Sequence, residues 1–437
     1  LVFLDTIPAI VKILVVFAAM LLAIHRKKAL GHVFTVGAVV LGLIFGLDPI
    51  EIIRSLFLAL ISPKTLGLAI IVSLILVLSH SMEAAGQMER LLGRFRGLLR
   101  HPGLNLIAFP ALIGLLPMPG GAIFSAPMVK SIGQKYALSG AQLSYSNYWF
   151  RHIWEYWWPL YPGVLLTTTI ARLDLLSFVL LLFPLTPVAY ILGYWPLRSA
   201  LKHHQSIQPR SERGAGHRRV TAFFKELVPI MIVVVGGLGL GALFSYIPWF
   251  RTITVTKEMG LVIALVVSIW WVWRYNQLSV QARKTIVTRP ALYRMFYMVA
   301  GILIFQGLLT DSQAVRMVSE ELLRWKIPLL PITIILPALV GMVAGITIAF
   351  VGTTFPILIS LVQAFGESHL LLPYMMLALA CGFMGVMVSP LHLCLLLSNE
   401  YFHTRLPAVY RQLVFPCVAL MVCALLYFGL LRYYFYT

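Results

Sequence analysis

Pro110-Ala111-Leu112-Ile113-Gly114 recurs later in the chain as Pro337-Ala338-Leu339-Val340-Gly341. Pro63 recurs as Pro290, and Ile75-Leu76 as Ile302-Leu303, at the same offset. With small shifts Pro8 matches Pro229, Pro127 matches Pro356, Pro159-Leu160 matches Pro390-Leu391 and Phe183-Pro184 matches Phe415-Pro416. The matches keep one order along the sequence. Two halves therefore read as one pattern written twice.

The residues between the matches fix the solvent. The chain is 60% hydrophobic and only 11% charged. That is too little charge to cover a soluble surface, so the sequence predicts a polytopic membrane protein with the lipid bilayer as its main partner. The net charge of +19 fits basic loops on the cytoplasmic side better than nucleic-acid binding, because no soluble basic module exists to carry the latter. The cysteines, Cys381, Cys394, Cys417 and Cys423, fall in apolar runs with no Cys-x-x-Cys pair and read as small core residues.

Apolar runs place spans at 7–24, 31–47 and 65–82, with a linking stretch at 49–61. A basic amphipathic segment follows, carrying Arg90, Arg94, Arg96 and Arg100, and is expected on the membrane surface. The run 104–136 is broken by Pro117-Met118-Pro119-Gly120-Gly121. Its arms are short of the ~20 residues that cross a bilayer, which predicts a re-entrant hairpin with its tip buried in protein. An interrupted span at 141–171 and a span at 175–195 close the first half. The second half repeats the order: spans at 228–247, 258–275 and 291–310, a hairpin at 329–364, an interrupted span at 370–399 and a last span at 408–431.

The fold expected is thus all-α, with two repeats of five spans plus one hairpin each and broken helices at the centre. Residues 1–197 form the first repeat, 198–225 a cytoplasmic linker and 226–437 the second repeat. An odd number of crossings per repeat makes the second inverted. With the N-terminus outside, the loops assigned to the inside hold 23 of the 34 Lys and Arg, as the positive-inside rule requires. Inverted repeats with broken helices mark secondary transporters, whose solute sites lie where the repeats meet.

Candidate site residues follow from those breaks. At the first tip Pro119, Gly120 and Gly121 allow close backbone approach, with Ser125 on the helix behind them. That helix aims free N–H groups at the tip, which suits an anion. The second tip offers Gly345, Thr347, Thr353 and Thr354. Threonine hydroxyls can bond a solute or cation, or bond back to their own helix. Asn147, Arg151, His152 and Glu155 lie in one apolar span, where ionisable groups face a cavity or a partner. Arg151 and Glu155 have the spacing of a helical ion pair. Trp149, Trp154, Trp157 and Trp158 either wall the site or form an interfacial belt. In the matching span Gly385 and Ser389 permit unwinding and His392 follows the break. His152-x-x-Glu155 is not a His-Glu-x-x-His zinc motif, so neither a metal nor a catalytic residue is assigned.

Three strings carry a resemblance. They are Leu116-Pro117-Met118-Pro119-Gly120-Gly121-Ala122, Asn147-Tyr148-Trp149-Phe150-Arg151-His152-Ile153-Trp154-Glu155 and Gly385-Val386-Met387-Val388-Ser389-Pro390-Leu391-His392-Leu393-Cys394. They resemble a prokaryotic family of integral membrane proteins of unknown function within the ion-transporter superfamily. Divalent-anion/sodium symporters, citrate carriers and gluconate permeases belong to the same superfamily. The resemblance implies a solute held between two hairpin tips and two broken helices, an elevator motion, a homodimer and the cytoplasmic (inner) membrane. The first tip departs from the Ser-Asn-Thr type of the dicarboxylate symporters.

The expectation is a secondary active transporter of a small anionic solute, organic or inorganic, coupled to H+ or Na+, with no other cofactor. An ion channel and an intramembrane enzyme are the alternatives.

Overall fold

The computed structural model describes residues 7–95, 98, 102–118, 120–203, 217–246 and 256–436. Among these residues every regular element is a helix. The first half contains α1 (Ala9–His25), α2 (Leu30–Ile44), α3 (Pro49–Ile61), α4 (Pro63–Ala84), α5 (Gln87–Phe95), α6 (Pro102–Gly114), α7 (Ala122–Gly133), α8 (Gly140–His152), α9 (Pro162–Ala171), α10 (Leu175–Leu182), α11 (Leu185–Tyr194) and α12 (Arg198–His203). The second contains α13 (His217–Met231), α14 (Gly237–Tyr246), α15 (Thr256–Tyr275), α16 (Val280–Val287), α17 (Pro290–Asp311), α18 (Ala314–Arg324), α19 (Leu329–Ala344), α20 (Thr347–Ala364), α21 (Leu371–Met387), α22 (Leu393–Tyr401) and α23 (Leu406–Tyr436). Seven helical runs among the described residues are long and apolar enough to cross a membrane. Exposed Leu, Val, Ile and Phe side chains on α1, α3, α10, α11 and α23 give the surface a lipid-compatible coat.

The repeated prolines do the same local work in both halves. Pro63 and Pro290 open α4 and α17, each 22 residues long, at the position where a missing N–H costs nothing. Pro110 and Pro337 lie inside α6 and α19, and Pro127 and Pro356 inside α7 and α20. Pro159 and Pro390 both fall in the breaks after α8 and α21. Pro184 separates α10 from α11, whereas Pro416 is absorbed inside the continuous α23.

Gly114 and Gly341 show why the repeated pentapeptide matters. A Cβ on Gly114 would stand 2.0 Å from the Arg151 carbonyl oxygen, and one on Gly341 would stand 2.2 Å from that of Gly382. In each half the first hairpin arm is therefore packed backbone to backbone on the broken helix, as small residues allow in membranes.

Packing between the halves is reciprocal. α2 packs on α17, and α15 on α4. α1 packs on α18, and α13 on α5. α9, past the first break, packs on α20, while α22, past the second, packs on α7. α4 and α17 pack on each other.

Several expected boundaries move. The helix ends at His152, well before Pro159, and residues 153–161 form turns. The linker expected at 198–225 is helical at both described ends, since α12 lies within it and α13 starts at His217; residues 204–216 lie outside the described set. The span expected at 228–247 carries a π-helical segment at Ile232–Gly236, just after Pro229, and Ser268 Oγ donates to the Pro229 carbonyl at 2.8 Å. The surface helix α5 is covered by protein: Met88, Leu91 and Leu92 are buried, and Arg94 pairs with Glu226 of α13 at 2.9 Å. Arg96 and Arg100 lie outside the described residues.

Candidate functional site

The Pro-broken hairpins and interrupted helices leave carbonyls without helical partners, and in hydrocarbon each such group costs several kcal/mol. Side chains from the opposing elements take them up. Pro110 has no N–H for the Leu106 carbonyl, and Ser146 Oγ donates to it at 3.3 Å. Trp154 Nε1 donates to Ala111, Tyr161 Oη to Gly114 and Arg151 Nη2 to Met118, at 2.7, 2.7 and 2.5 Å. At the end of α21, Tyr148 Oη donates to the Met387 carbonyl and Tyr410 Oη to that of Val388, at 3.0 and 2.8 Å. The breaks and tips are thus sewn to each other by named bonds.

Between them lies a cavity of about 290 Å3, at the small end of the roughly 300–1,000 Å3 range of ligand pockets. Gly120 and Gly345 bring both hairpin tips to it, and Arg151, His152, Glu155 and His392 bring both breaks. Val72, Ile75 and Leu76 of α4 and Met295 and Met298 of α17 form an apolar wall on the remaining side. The larger hollow between α1 and α2, about 510 Å3, is lined chiefly by aliphatic side chains.

Arg151 is 3% exposed. Its Nη1 lies 3.2 Å from His152 Nε2 and 3.3 Å from Cys394 Sγ, and its Nε has no partner. The expected Arg151–Glu155 ion pair does not form, because the helix ends between the two residues and the i,i+4 geometry is lost. Glu155 instead accepts from Thr347 Oγ1 at 2.7 Å, and its other oxygen stands 4.0 Å from His152 Nε2. The Nδ1 of His152 faces the Tyr148 carbonyl at 2.6 Å. The Nδ1 of His392 faces the Gly345 carbonyl at 3.0 Å. A carbonyl only accepts, so both Nδ1 atoms carry hydrogens. The two Nε2 atoms then face each other, 3.1 Å apart.

Of the residues expected at the site, Gly120, Arg151, His152, Glu155, Gly345, Thr347 and His392 line the cavity together. Pro119 lies outside the described residues, and the rest do not line the cavity. Gly121 stands behind the tip, where a Cβ would meet Arg151 Nη2 at 2.5 Å. The N–H groups of Ile123 and Phe124 bond to the carbonyls of Gly120 and Gly121, so the first turn of α7 keeps these amides to itself. Ser125 and Asn147 form a buried knot: Asn147 accepts from Ser125 Oγ at 2.6 Å and donates to Ser398 Oγ at 3.0 Å, tying α7 and α8 to α22. Thr353 and Thr354 bond back to carbonyls of their own helix. Gly385 packs on the Ala338 carbonyl, and Ser389 Oγ accepts from the Leu391 N–H inside the break.

The four tryptophans pack within the protein. Trp149 Nε1 donates to the Ala189 carbonyl and Trp157 Nε1 to that of Ile153, and none of the four lines the cavity. Sequence reasoning missed Cys394, Tyr161 and the Met118 carbonyl. The only signal for Cys394 was its place two residues after His392, on the far side of the break.

Over residues 9–431 the chain matches a family described as "Protein of unknown function (DUF401)", and it belongs to that family. No curated protein matches it.

Proposed function

We propose that this protein is a secondary active transporter of a small anionic solute, driven by an H+ or Na+ gradient. One observation carries the reading: a single cavity is lined by both hairpin tips and both helix breaks. Arg151 supplies a buried guanidinium at its wall, suited to a small anion. Glu155, held by Thr347, supplies a carboxylate against which a coupling cation can rest.

The reciprocal packing of α2 on α17 and α15 on α4 supports two repeats of opposite orientation, with re-entrant hairpins and membership of the ion-transporter superfamily. In this reading the first hairpin opens to the cytoplasm of a prokaryote and the second to the outside. The smooth apolar wall of α4 and α17 suits an elevator motion, in which the tips and breaks slide past it as one body. The protein is then expected to act as a homodimer in the inner membrane.

The test is uptake into proteoliposomes. A thermal-shift screen of small anions on purified protein first picks the ligand, since a ligand of the folded state stabilises it. Flux of that anion should saturate and should follow an imposed pH or Na+ gradient. Flux that never saturates and ignores both gradients would identify a channel instead.

A further inference from the structure

His152 comes from the end of α8 and His392 and Cys394 from the start of α22. One ring nitrogen from each histidine and the Cys394 Sγ all lie within 4.8 Å of one another, and all three residues are buried. Each imidazole is oriented by an Nδ1–H bond to a backbone carbonyl, Tyr148 for one and Gly345 for the other. That second bond is the usual support of a histidine that ligates metal through Nε2. It also leaves two unprotonated Nε2 atoms 3.1 Å apart. Arg151 Nη1 donates to that of His152, and among the described residues no N–H donates to that of His392, where a positive centre would serve both.

We propose that His152, His392 and Cys394 form a binding site for a soft divalent cation of the Zn2+ class. The separation fits. On a tetrahedral ion with Zn–N of about 2.0–2.1 Å, two nitrogens stand roughly 3.3 Å apart, against 3.1 Å here. Two imidazoles and a thiolate suit zinc or cobalt rather than magnesium or calcium. The fourth position faces the cavity. Glu155, whose Oε2 is 4.0 Å from His152 Nε2, reaches it by a short movement while Thr347 holds its other oxygen.

Arg151 is the obstacle, because its Nη1 donates to His152 Nε2 and Cys394 Sγ. A bound ion displaces that nitrogen. The guanidinium keeps its bond to the Met118 carbonyl and gains a thiolate neighbour, since a metal-bound cysteine is deprotonated. Thiolate and carboxylate balance the ion, and Arg151 remains as the one net charge. The ligands come from both halves of the chain, so the ion would clamp the two breaks together.

The experiment is titration of detergent-purified, chelator-stripped protein with Co2+ and then Zn2+. The expected result is one ion per chain and a thiolate-to-cobalt charge-transfer band that Zn2+ bleaches. Cys394→Ser should lose the band and bind about tenfold or more weakly. His392→Asn should weaken binding by a similar factor. Thermal melting of each stripped variant shows that it is folded, and the nearly isosteric Cys394→Ser keeps the test open if His392→Asn fails to fold. No stoichiometric uptake by the native protein overturns the proposal, as a proton shared by the two imidazoles would leave no band. A band that survives Cys394→Ser overturns it as well. Flux measured on stripped and loaded proteoliposomes keeps the two proposals separate: metal binding without anion flux sinks only the transporter, and flux without metal binding sinks only the metal site.

Discussion

Thr347 donates its hydroxyl to the Glu155 carboxylate at 2.7 Å, joining the second hairpin tip to the first helix break. The bond links residues from opposite halves of the chain at the cavity wall. Gly163, at the start of α9, closes in on the same threonine, with only 2.4 Å between a built Cβ and Thr347 Cγ2.

Thr347→Val keeps the shape and removes the donor, so it should lower thermal stability. A hydrogen bond to a charged group contributes about 1.5–3 kcal/mol. Thr347→Ser should restore most of the loss. Melting of both variants in detergent checks this. Equal melting of Val and Ser variants would show that the hydroxyl contributes nothing.

Arg151→Lys should weaken anion-dependent stabilisation while leaving the protein folded. The lysine retains the charge but cannot bond Met118, His152 and Cys394 from one planar fork. Loss of one charge-assisted bond corresponds to roughly a tenfold weaker ligand or more. Unchanged anion affinity in a calorimetric titration would remove Arg151 from the proposed solute site.

Gly345 holds a left-handed backbone, φ +67°, at the second tip. A Cβ there costs about 1–2 kcal/mol in strain and also stands 2.9 Å from Ser389 Oγ. Gly366 has φ +73° with nothing within 4 Å of a Cβ. Gly345→Ala should therefore melt lower than Gly366→Ala, and only the former should disturb the Nδ1 bond of His392. Equal melting points would mean that the break yields to the added methyl.

The proposed orientation makes a topological prediction. Gln134, at the foot of the first hairpin, and Ser368, at the foot of the second, are both exposed. In a background where the half-buried Cys423 is replaced by alanine, Gln134→Cys should react with an impermeant maleimide only from the cytoplasmic side. Ser368→Cys should react only from the outside. Labelling of both from one side would exclude inverted repeats.

The parts of the fold legible in the sequence were those written in local chemistry. Pro63 and Pro290 open helices wherever they stand, and the repeated pentapeptides that end in Gly114 and Gly341 mark matching elements of the two halves. Arg151 and His152 announced themselves as ionisable groups in an apolar run. What stayed hidden depends on residues far apart in sequence. Thr353 and Thr354 look like tip hydroxyls until the register of α20 turns them onto their own carbonyls. Cys394 looks like core packing until α22 sets its sulfur beside the two imidazoles. Ser125 and Asn147 serve each other and Ser398 rather than the cavity, a pairing across three helices that no spacing rule encodes.

A ribosome delivers the chain from one end. α1 and α2 are made long before α17 and α18, the helices on which they pack. Their inward faces, including buried Lys12, must wait in lipid or against the insertion machinery until α17 and α18, in the first part of the second half, have been translated. Neither half can finish folding first. A gene cut between codons 203 and 217 should therefore yield active protein only when both pieces are synthesised together in the same membrane.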